Sequence, residues 1–168
     1  MCQEELEVGE VGGGGELGIR VRVLEQRDRV AQLLDGGIVI GLDDGVAFLN
    51  SDGSLRAKAP AATSDARYRA KTTTPAVLSN GIVAIGGSDA KLSFYDPSSG
   101  TELWKVELGP WPSRYDGIRS SVLEVRDSDG RMGAFFSLLD GTVMRLDLDY
   151  FFEQLEAGNV SAEGFRSP

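Results

Sequence analysis

Residues Gly81–Leu108 read GIVAIGGSDAKLSFYDPSSGTELWKVEL, and this stretch decides the fold. It contains three runs of β-forming residues: Ile82–Gly86, Lys91–Tyr95 and Leu103–Leu108. The turn sequences GSDA and DPSSG separate these runs. Short β-type runs joined by turns of this composition are typical of antiparallel hairpins. The stretch therefore predicts an antiparallel meander.

The same pattern occurs twice more, which indicates an internal repeat. Gly36–Lys58 precedes the first stretch by about 45 residues, and its IVIG segment aligns with VAIG of the first stretch. A fainter copy follows at Met132–Asp147, MGAFFSLLDGTVMRLD. A further β-type run precedes the first hairpin of each copy: Val30–Leu34, Thr74–Leu78 and Ser120–Val125. Each repeat unit is thus expected to supply up to four strands.

Four strands in about 45 residues is the size of one β-propeller blade. Because a lone four-stranded sheet leaves an apolar face exposed, each blade needs a neighbour. We therefore predict an all-β fold, a partial propeller of four-stranded antiparallel blades at about 18–60, 61–109 and 110–148. The alternating GIRVRVL of Gly18–Leu24 gives a partial fourth unit. Residues 1–17, acidic and glycine-rich, are expected to be a flexible leader.

The C-terminal stretch, 149–168, breaks the repeat. In the third copy, Asp149–Ala157 (DYFFEQLEA) replaces the turn and last strand of the unit and predicts a short helix. Asp149 is expected to be its N-cap and Gly158 its C′ residue. The tail that follows, NVSAEGFRSP, is expected to be irregular.

Composition disfavours several classes of function. The net charge of −9 predicts no nucleic-acid partner, because phosphates repel an acidic surface. Histidine is absent, which removes His-based triads and most zinc sites, and the single Cys2 allows no intramolecular disulfide. No apolar run approaches the ~20 residues of a membrane-spanning helix, so no transmembrane segment is predicted. The N-terminal residues lack the pattern of an intact signal peptide, and the compartment stays open.

Asp96–Trp104 (DPSSGTELW) resembles the tryptophan-docking repeat of the PQQ-like, or quinoprotein alcohol dehydrogenase-like, β-propellers. Four residues match that repeat in register: Asp96, Gly100, Glu102 and Trp104. The resemblance implies that Trp104 packs flat against the adjoining blade and holds blades together. Within the turn, Asp96 can accept backbone N–H groups and Gly100 can take a positive φ. These residues are therefore predicted to have structural roles.

The resemblance also brings an enzyme hypothesis. Dehydrogenases of this family close eight blades around PQQ, with calcium or a similar ion and an Asp base. This chain has about three blades and no matching cluster of site residues, so we predict no catalytic residue, no cofactor and no metal site. Asn50–Gly53 (NSDG) and Asp127–Gly130 (DSDG) begin like calcium loops but lack the later ligands, which predicts hairpin turns.

We therefore predict a non-enzymatic protein-interaction or assembly scaffold, completed by self-association or by other chains. Two alternatives stay open: a segment of a larger PQQ-like propeller enzyme or sensor, and a propeller that binds a small ligand. Four aromatic residues are candidate partner contacts: Trp111, Tyr150, Phe151 and Phe152. The same side chains can instead cap the apolar face of the terminal blade, and the sequence does not separate these two roles.

Overall fold

The computed structural model describes residues 29–42, 45–60, 73–87, 91–107, 117–158 and 165–166. Their elements are β1 (Val30–Gln32), β2 (Ile38–Leu42), β3 (Gly45–Leu49), β4 (Leu55–Pro60), β5 (Ala76–Val77), β6 (Val83–Gly86), β7 (Lys91–Tyr95), β8 (Glu102–Glu107), β9 (Leu123–Arg126), β10 (Met132–Ser137), β11 (Val143–Asp147), α1 (Leu148–Glu156) and β12 (Phe165–Arg166). The predicted leader and the Gly18–Leu24 strand lie outside the described residues.

The strands form three sheets that follow the sequence repeats. The first sheet has the order β1-β2-β3-β4, the second β12-β8-β7-β6-β5, and the third β11-β10-β9. Every pairing is antiparallel except that between β12 and β8. The predicted all-β fold of propeller-type sheets with a short C-terminal helix is confirmed. The third sheet has three strands because the chain enters α1 directly after β11.

An apolar core joins the first and second sheets. Successive strand residues point to opposite faces, so alternate residues of each strand share one side. On this side the buried residues are Val39, Val46, Phe48 and Ala59 from the first sheet, and Val83, Ile85 and Tyr95 from the second. The two sheets therefore pack face to face.

A second core joins the second sheet to the third sheet and to α1. Its residues alternate along the strands with those of the first core, so that Ala84 and Phe94 point into this second core. Trp104 from β8, Phe136 from β10 and Phe151 from the helix pack with them. Since the second sheet is buried on both faces, its central strands β6 and β7 are buried almost throughout and do not alternate between buried and exposed residues.

The C-terminal stretch differs from the sequence prediction in two respects. Asp147, and not Asp149, is the N-cap of α1, and its carboxylate accepts the Tyr150 N–H at 3.2 Å. Asp149 lies in the first turn, where its carboxylate accepts the Met132 N–H at 2.8 Å. The tail is not wholly irregular, because Phe165–Arg166 forms β12 and pairs in parallel with β8. Gly158, with a φ of 67°, follows the helix as predicted for a C′ residue.

Candidate functional site

The turn that begins at Asp96 is organised by the carboxylate of that residue. Its Oδ1 accepts the Ser98 N–H at 2.8 Å and the Ser98 hydroxyl at 2.7 Å, and its Oδ2 accepts the Ser99 hydroxyl at 2.8 Å. The hydrogen bond from the Ser98 hydroxyl, followed by that from its N–H, lowers the pKa of Asp96 below the ordinary value of 3.8. The carboxylate is thus used inside the turn between β7 and β8.

Gly100 closes this turn and brings it against the first sheet. Its φ is +70°, and its N–H donates to the Asp96 carbonyl at 2.8 Å. A Cβ at this position would lie 2.7 Å from the Ala57 Cβ on β4 and 3.6 Å from the Phe48 ring. Glycine is therefore required twice, by the backbone conformation and by the close approach of the two sheets.

Trp104 lies between the second sheet and the helix and is 2% exposed. Its ring stacks on Phe151 with the centroids 3.5 Å apart and the planes at 9°. Phe94 flanks both rings, at 5.8 Å from Trp104 and 4.6 Å from Phe151. Trp104 thus packs flat on a side chain of α1, the helix that replaces the last strand of the third repeat.

The candidate partner contacts have different environments. Phe151 is fully buried, so it is a core residue, and of the two roles left open for it the burial fits capping of the apolar face and not an exposed partner contact. Phe152 is half-buried against Phe151, at a centroid distance of 4.9 Å, and Tyr150 is 45% exposed. An open surface depression is lined by Arg131, Asp149, Tyr150, Phe152, Glu153 and Glu156. Trp111 lies outside the described residues.

The two calcium-like sequences form hairpin turns. In the Asp127–Gly130 turn, the Asp127 Oδ1 accepts the Arg131 N–H at 2.9 Å. In the Asn50–Gly53 turn, the Asp52 Oδ1 accepts the Ser54 N–H at 2.9 Å. The described residues contain no cluster of three or more His, Cys, Asp or Glu side chains arranged to hold a metal ion, and no helix among them is long and apolar enough to cross a membrane.

Sequence reasoning missed the most exposed apolar surface of the third sheet. Its outer face, the side opposite Ala134 and Phe136, is formed by Leu123, Val125, Phe135, Val143 and Arg145. Leu123 is 63% exposed, Val143 69% and Val125 36%. One feature of the sequence indicates this exposed face. Arg145 occupies the position in the third sheet that Phe48 occupies in the first sheet and Phe94 in the second.

Arg145 is held in place on the outer face by two neighbours. Its guanidinium lies 3.3 Å from the Asp127 carboxylate and 5.9 Å from the centroid of the Phe135 ring. Both contacts are partly exposed, so each contributes little to stability. They orient the cation across an otherwise apolar face.

Comparison with known proteins gives likeness at the level of structure. No protein-family model matches the sequence, and no curated protein matches it. Among solved structures, BamB from Moraxella catarrhalis, a β-propeller, is similar with a TM-score of 0.52 and 22% sequence identity. The likeness covers 74% of this chain and 33% of the BamB chain, so the chain spans about a third of the length of that protein.

Two further solved structures each have a TM-score of 0.46. A protein of unknown function from Bacteroides caccae is 15% identical, over 70% of this chain and 44% of that chain. The computationally designed Ika4 protein is 20% identical, over 70% of this chain and 65% of that chain. The similarity to BamB, together with the sheets described above, shows an all-β fold of the β-propeller type.

Proposed function

We propose that this chain is a non-enzymatic propeller module of the PQQ-like type that acts as a protein-interaction or assembly scaffold. The residues that carry the resemblance have structural environments: Asp96 organises a turn, Gly100 lies against the first sheet, and Trp104 is stacked in a core. The most distinctive motif of the chain thus supports adhesion between sheets, which leaves other surfaces for partners.

The outer face of the third sheet carries this proposal. The other two interfaces between sheets bury their apolar side chains, whereas Leu123 and Val143 leave 63% and 69% of their surface exposed. Stacked repeats gain stability when each apolar face meets a neighbour, and contiguous exposed apolar surface marks interaction sites. The outer face is therefore a surface on which a further protein element would bury apolar side chains that are now exposed.

Site-specific photo-crosslinking tests this proposal. Leu123 is replaced by a photoreactive benzoylphenylalanine, and so is Leu34, a leucine that is 71% exposed in the turn between β1 and β2. Because both positions are exposed, the comparison separates a specific contact from general apolar stickiness. We expect a discrete adduct from position 123 and none from position 34, with the crosslinked protein identified by mass spectrometry.

Sedimentation equilibrium of the purified chain then distinguishes self-association from binding of another protein. An adduct between two copies, with a dimeric mass that Leu123→Lys abolishes, indicates self-association. An adduct with a different protein and a monomeric mass indicates a heterologous partner. Equal labelling from positions 123 and 34, or no adduct from either position, contradicts the interaction function.

The coverage of BamB favours a second candidate, in which this sequence is a segment of a larger propeller. In that case the outer face receives the next blade of the same polypeptide, and the enzymatic or sensory part lies outside this segment. Extending the reading frame beyond the segment and repeating the crosslink at position 123 tests it. An adduct within the extended chain supports this candidate over the scaffold.

A further inference from the structure

Among the residues that the structure describes, the third sheet has no fourth strand of the kind that completes the first two. β3 pairs with β4, and β7 pairs with β8, but no strand in the described ranges pairs with the outer side of β11. Instead of turning back, the chain enters α1, which packs against β10 and buries Phe151 on Trp104. Within the described part of the chain, β11 is therefore an edge strand at the position where the other sheets are completed.

The hydrogen-bond pattern shows which residues of β11 face outward. The Leu138 N–H donates to the Thr142 carbonyl at 2.8 Å, and the pairs between β10 and β11 continue from there. In an antiparallel ladder, alternate residues direct both their N–H and their C=O groups to the same neighbouring strand. Because Thr142 bonds to β10, the even-numbered residues of β11 direct their backbone groups toward β10. Val143 and Arg145 consequently direct their N–H and C=O groups away from β10.

The corresponding positions of the first two sheets are those that bind the fourth strand. Four cross-strand pairs define these positions: Val46–Ala59, Phe48–Ala57, Leu92–Val106 and Phe94–Trp104. The third sheet has Val143 and Arg145 at the same register. The first position thus stays apolar, whereas a cation replaces the aromatic ring at the second.

The side chains at these two positions define a complementary strand. Directly opposed residues lie close enough to interact, and opposite charges or apolar pairs stabilise the pairing. Arg145 favours an acidic residue opposite it, and Val143 favours an aliphatic residue. In an antiparallel fourth strand, the residue opposite Arg145 comes first and the residue opposite Val143 comes two positions later, in the order seen for Trp104 and Val106.

We propose that β11 accepts an extended segment of a partner protein as a fourth antiparallel strand, with the pattern acidic residue, any residue, aliphatic residue. The proposal rests on the interaction function above and names the chemistry of the partner. An edge strand of this molecule already receives a separate segment, since Phe165–Arg166 adds to β8 beside Val106–Glu107. Strand addition of this kind obtains affinity from backbone hydrogen bonds and specificity from alternate side chains.

A second copy of this chain is a poorer occupant of the same edge. Antiparallel pairing of two β11 strands places Arg145 opposite Val143, another Arg145 or Asp147, and the Asp147 carboxylate is already engaged by Arg131 and by the N-terminus of α1. The first pairing places no acidic residue of the other strand opposite the cation, whose existing counter-charge is Asp127 of its own chain, and the second sets like charges against each other, which disfavours pairing. Charged side chains on edge strands are a known device against self-association.

A designed peptide tests the proposal. The probe copies Gly100–Glu107 with Trp104→Glu, which places glutamate opposite Arg145 and the valine opposite Val143. Fluorescence anisotropy measures its binding to the full chain, and hydrogen exchange monitors the Val143 and Arg145 amides. We expect rapid exchange of both amides without peptide and at least about tenfold slower exchange when peptide is bound.

Val143→Pro removes an outward N–H without removing a bond to β10, because proline is tolerated where an edge-strand N–H faces solvent. We expect it to weaken peptide binding by at least about tenfold, whereas the matched control Val143→Ala, which keeps the N–H, changes it by less than about threefold. Circular dichroism verifies that both variants are folded. A further variant, Arg145→Glu, tests the charge complementarity without a proline. It should bind a second peptide, which carries Trp104→Lys, more tightly than the peptide with Trp104→Glu.

Several results overturn the strand addition. They are no binding of either peptide, binding that leaves the two amides unprotected, equal binding by Val143→Pro and Val143→Ala, and slow exchange of both amides before peptide is added. A dimeric mass that Val143→Pro abolishes identifies a second copy as the occupant and also overturns it. A retained crosslink at position 123 with no peptide binding refutes strand addition alone, whereas loss of both refutes the interaction function itself.

Discussion

At the scale of single residues, the repeat motif divides into a turn and a docking residue. The Asp96 carboxylate accepts hydrogen bonds from within the turn, and Gly100 allows the turn to approach the first sheet closely. Trp104, only four residues later, points to the opposite core and meets the helix. One short motif therefore contacts both neighbours of the second sheet.

Gly100→Ala should destabilise the fold by at least about 2 kcal/mol, because a positive φ costs about 1–2 kcal/mol for an L-residue and the new Cβ meets Ala57. Gly141→Ala is the matched control. Its φ is +91°, but no atom lies within 4 Å of the added Cβ, so only the backbone cost of about 1 kcal/mol is expected. Urea denaturation measures both.

A second substitution that removes the Ala57 Cβ tests the steric part of this effect. In the Gly100→Ala background, Ala57→Gly removes the opposing methyl group, so the double variant should be more stable than the sum of the two single changes predicts. Additive free energies would show that the turn does not press on the first sheet.

At the scale of elements, α1 completes the third repeat in place of a strand. Asp147 caps it, and Leu148 and Phe151 enter the core, while Glu153 and Glu156 remain exposed. Tyr150, Phe151 and Phe152 are consecutive, so helical geometry spreads them over different sides and only one can lie fully in the core. The sequence identified the aromatic cluster but not which ring was buried.

Phe151→Ala should lower the free energy of unfolding by about 3–5 kcal/mol, because it empties a fully buried site beside Trp104. Phe152→Ala, at a half-buried neighbouring position, should cost only about 1–2 kcal/mol. A Trp111→Phe background leaves Trp104 as the sole tryptophan, since the chain has two. Its fluorescence emission should then move to longer wavelength in Phe151→Ala only.

Unchanged emission together with unchanged stability in Phe151→Ala would show that the helix does not cover Trp104. A large loss of unfolding free energy in Phe152→Ala, with little change in Phe151→Ala, would show that Phe152 and not Phe151 is the core residue.

At the scale of the whole molecule, three sheets stack with two buried interfaces; of the two end faces, that of the third sheet is exposed, whereas Ala47 and Leu49 on that of the first sheet are buried. The second sheet is covered on both sides, and the third is covered on one. The stack is thus asymmetric along its length. The outer face and the edge of β11 meet at Val143, so the proposed partner surface is continuous.

The two faces of the third sheet should respond oppositely to the same substitution. Leu123→Lys, on the outer face, should change the free energy of unfolding by no more than about 0.5 kcal/mol. Ala134→Lys, at a fully buried position on the inner face, should cost more than about 3 kcal/mol because it buries a charge in the core. Urea denaturation of dilute protein measures both, and a comparable loss in the two variants would contradict the assignment of faces.

Much of this architecture could be predicted from the sequence because its cause is local. Turn residues and β-forming runs recur with the repeat, so strand positions in all three copies follow from Gly, Asp and Ser at the turns. The break in the repeat, predicted at Asp149, and a helix after it were also predictable, because helix formers replace the turn there. The N-cap was misplaced by two residues because Asp147 and Asp149 are chemically equivalent candidates, and only the backbone path separates them.

The sequence by itself determined that apolar faces exist and that sheets must stack to bury them, since alternation along a strand fixes which residues share a side. Only the tertiary structure decided which faces were covered. Stacking order and helix placement depend on contacts between residues far apart in the chain, such as Trp104 with Phe151 and Gly100 with Ala57. For the same reason, the exposed outer face, and the edge of β11 that no described strand fills, depend on the placement of all three sheets.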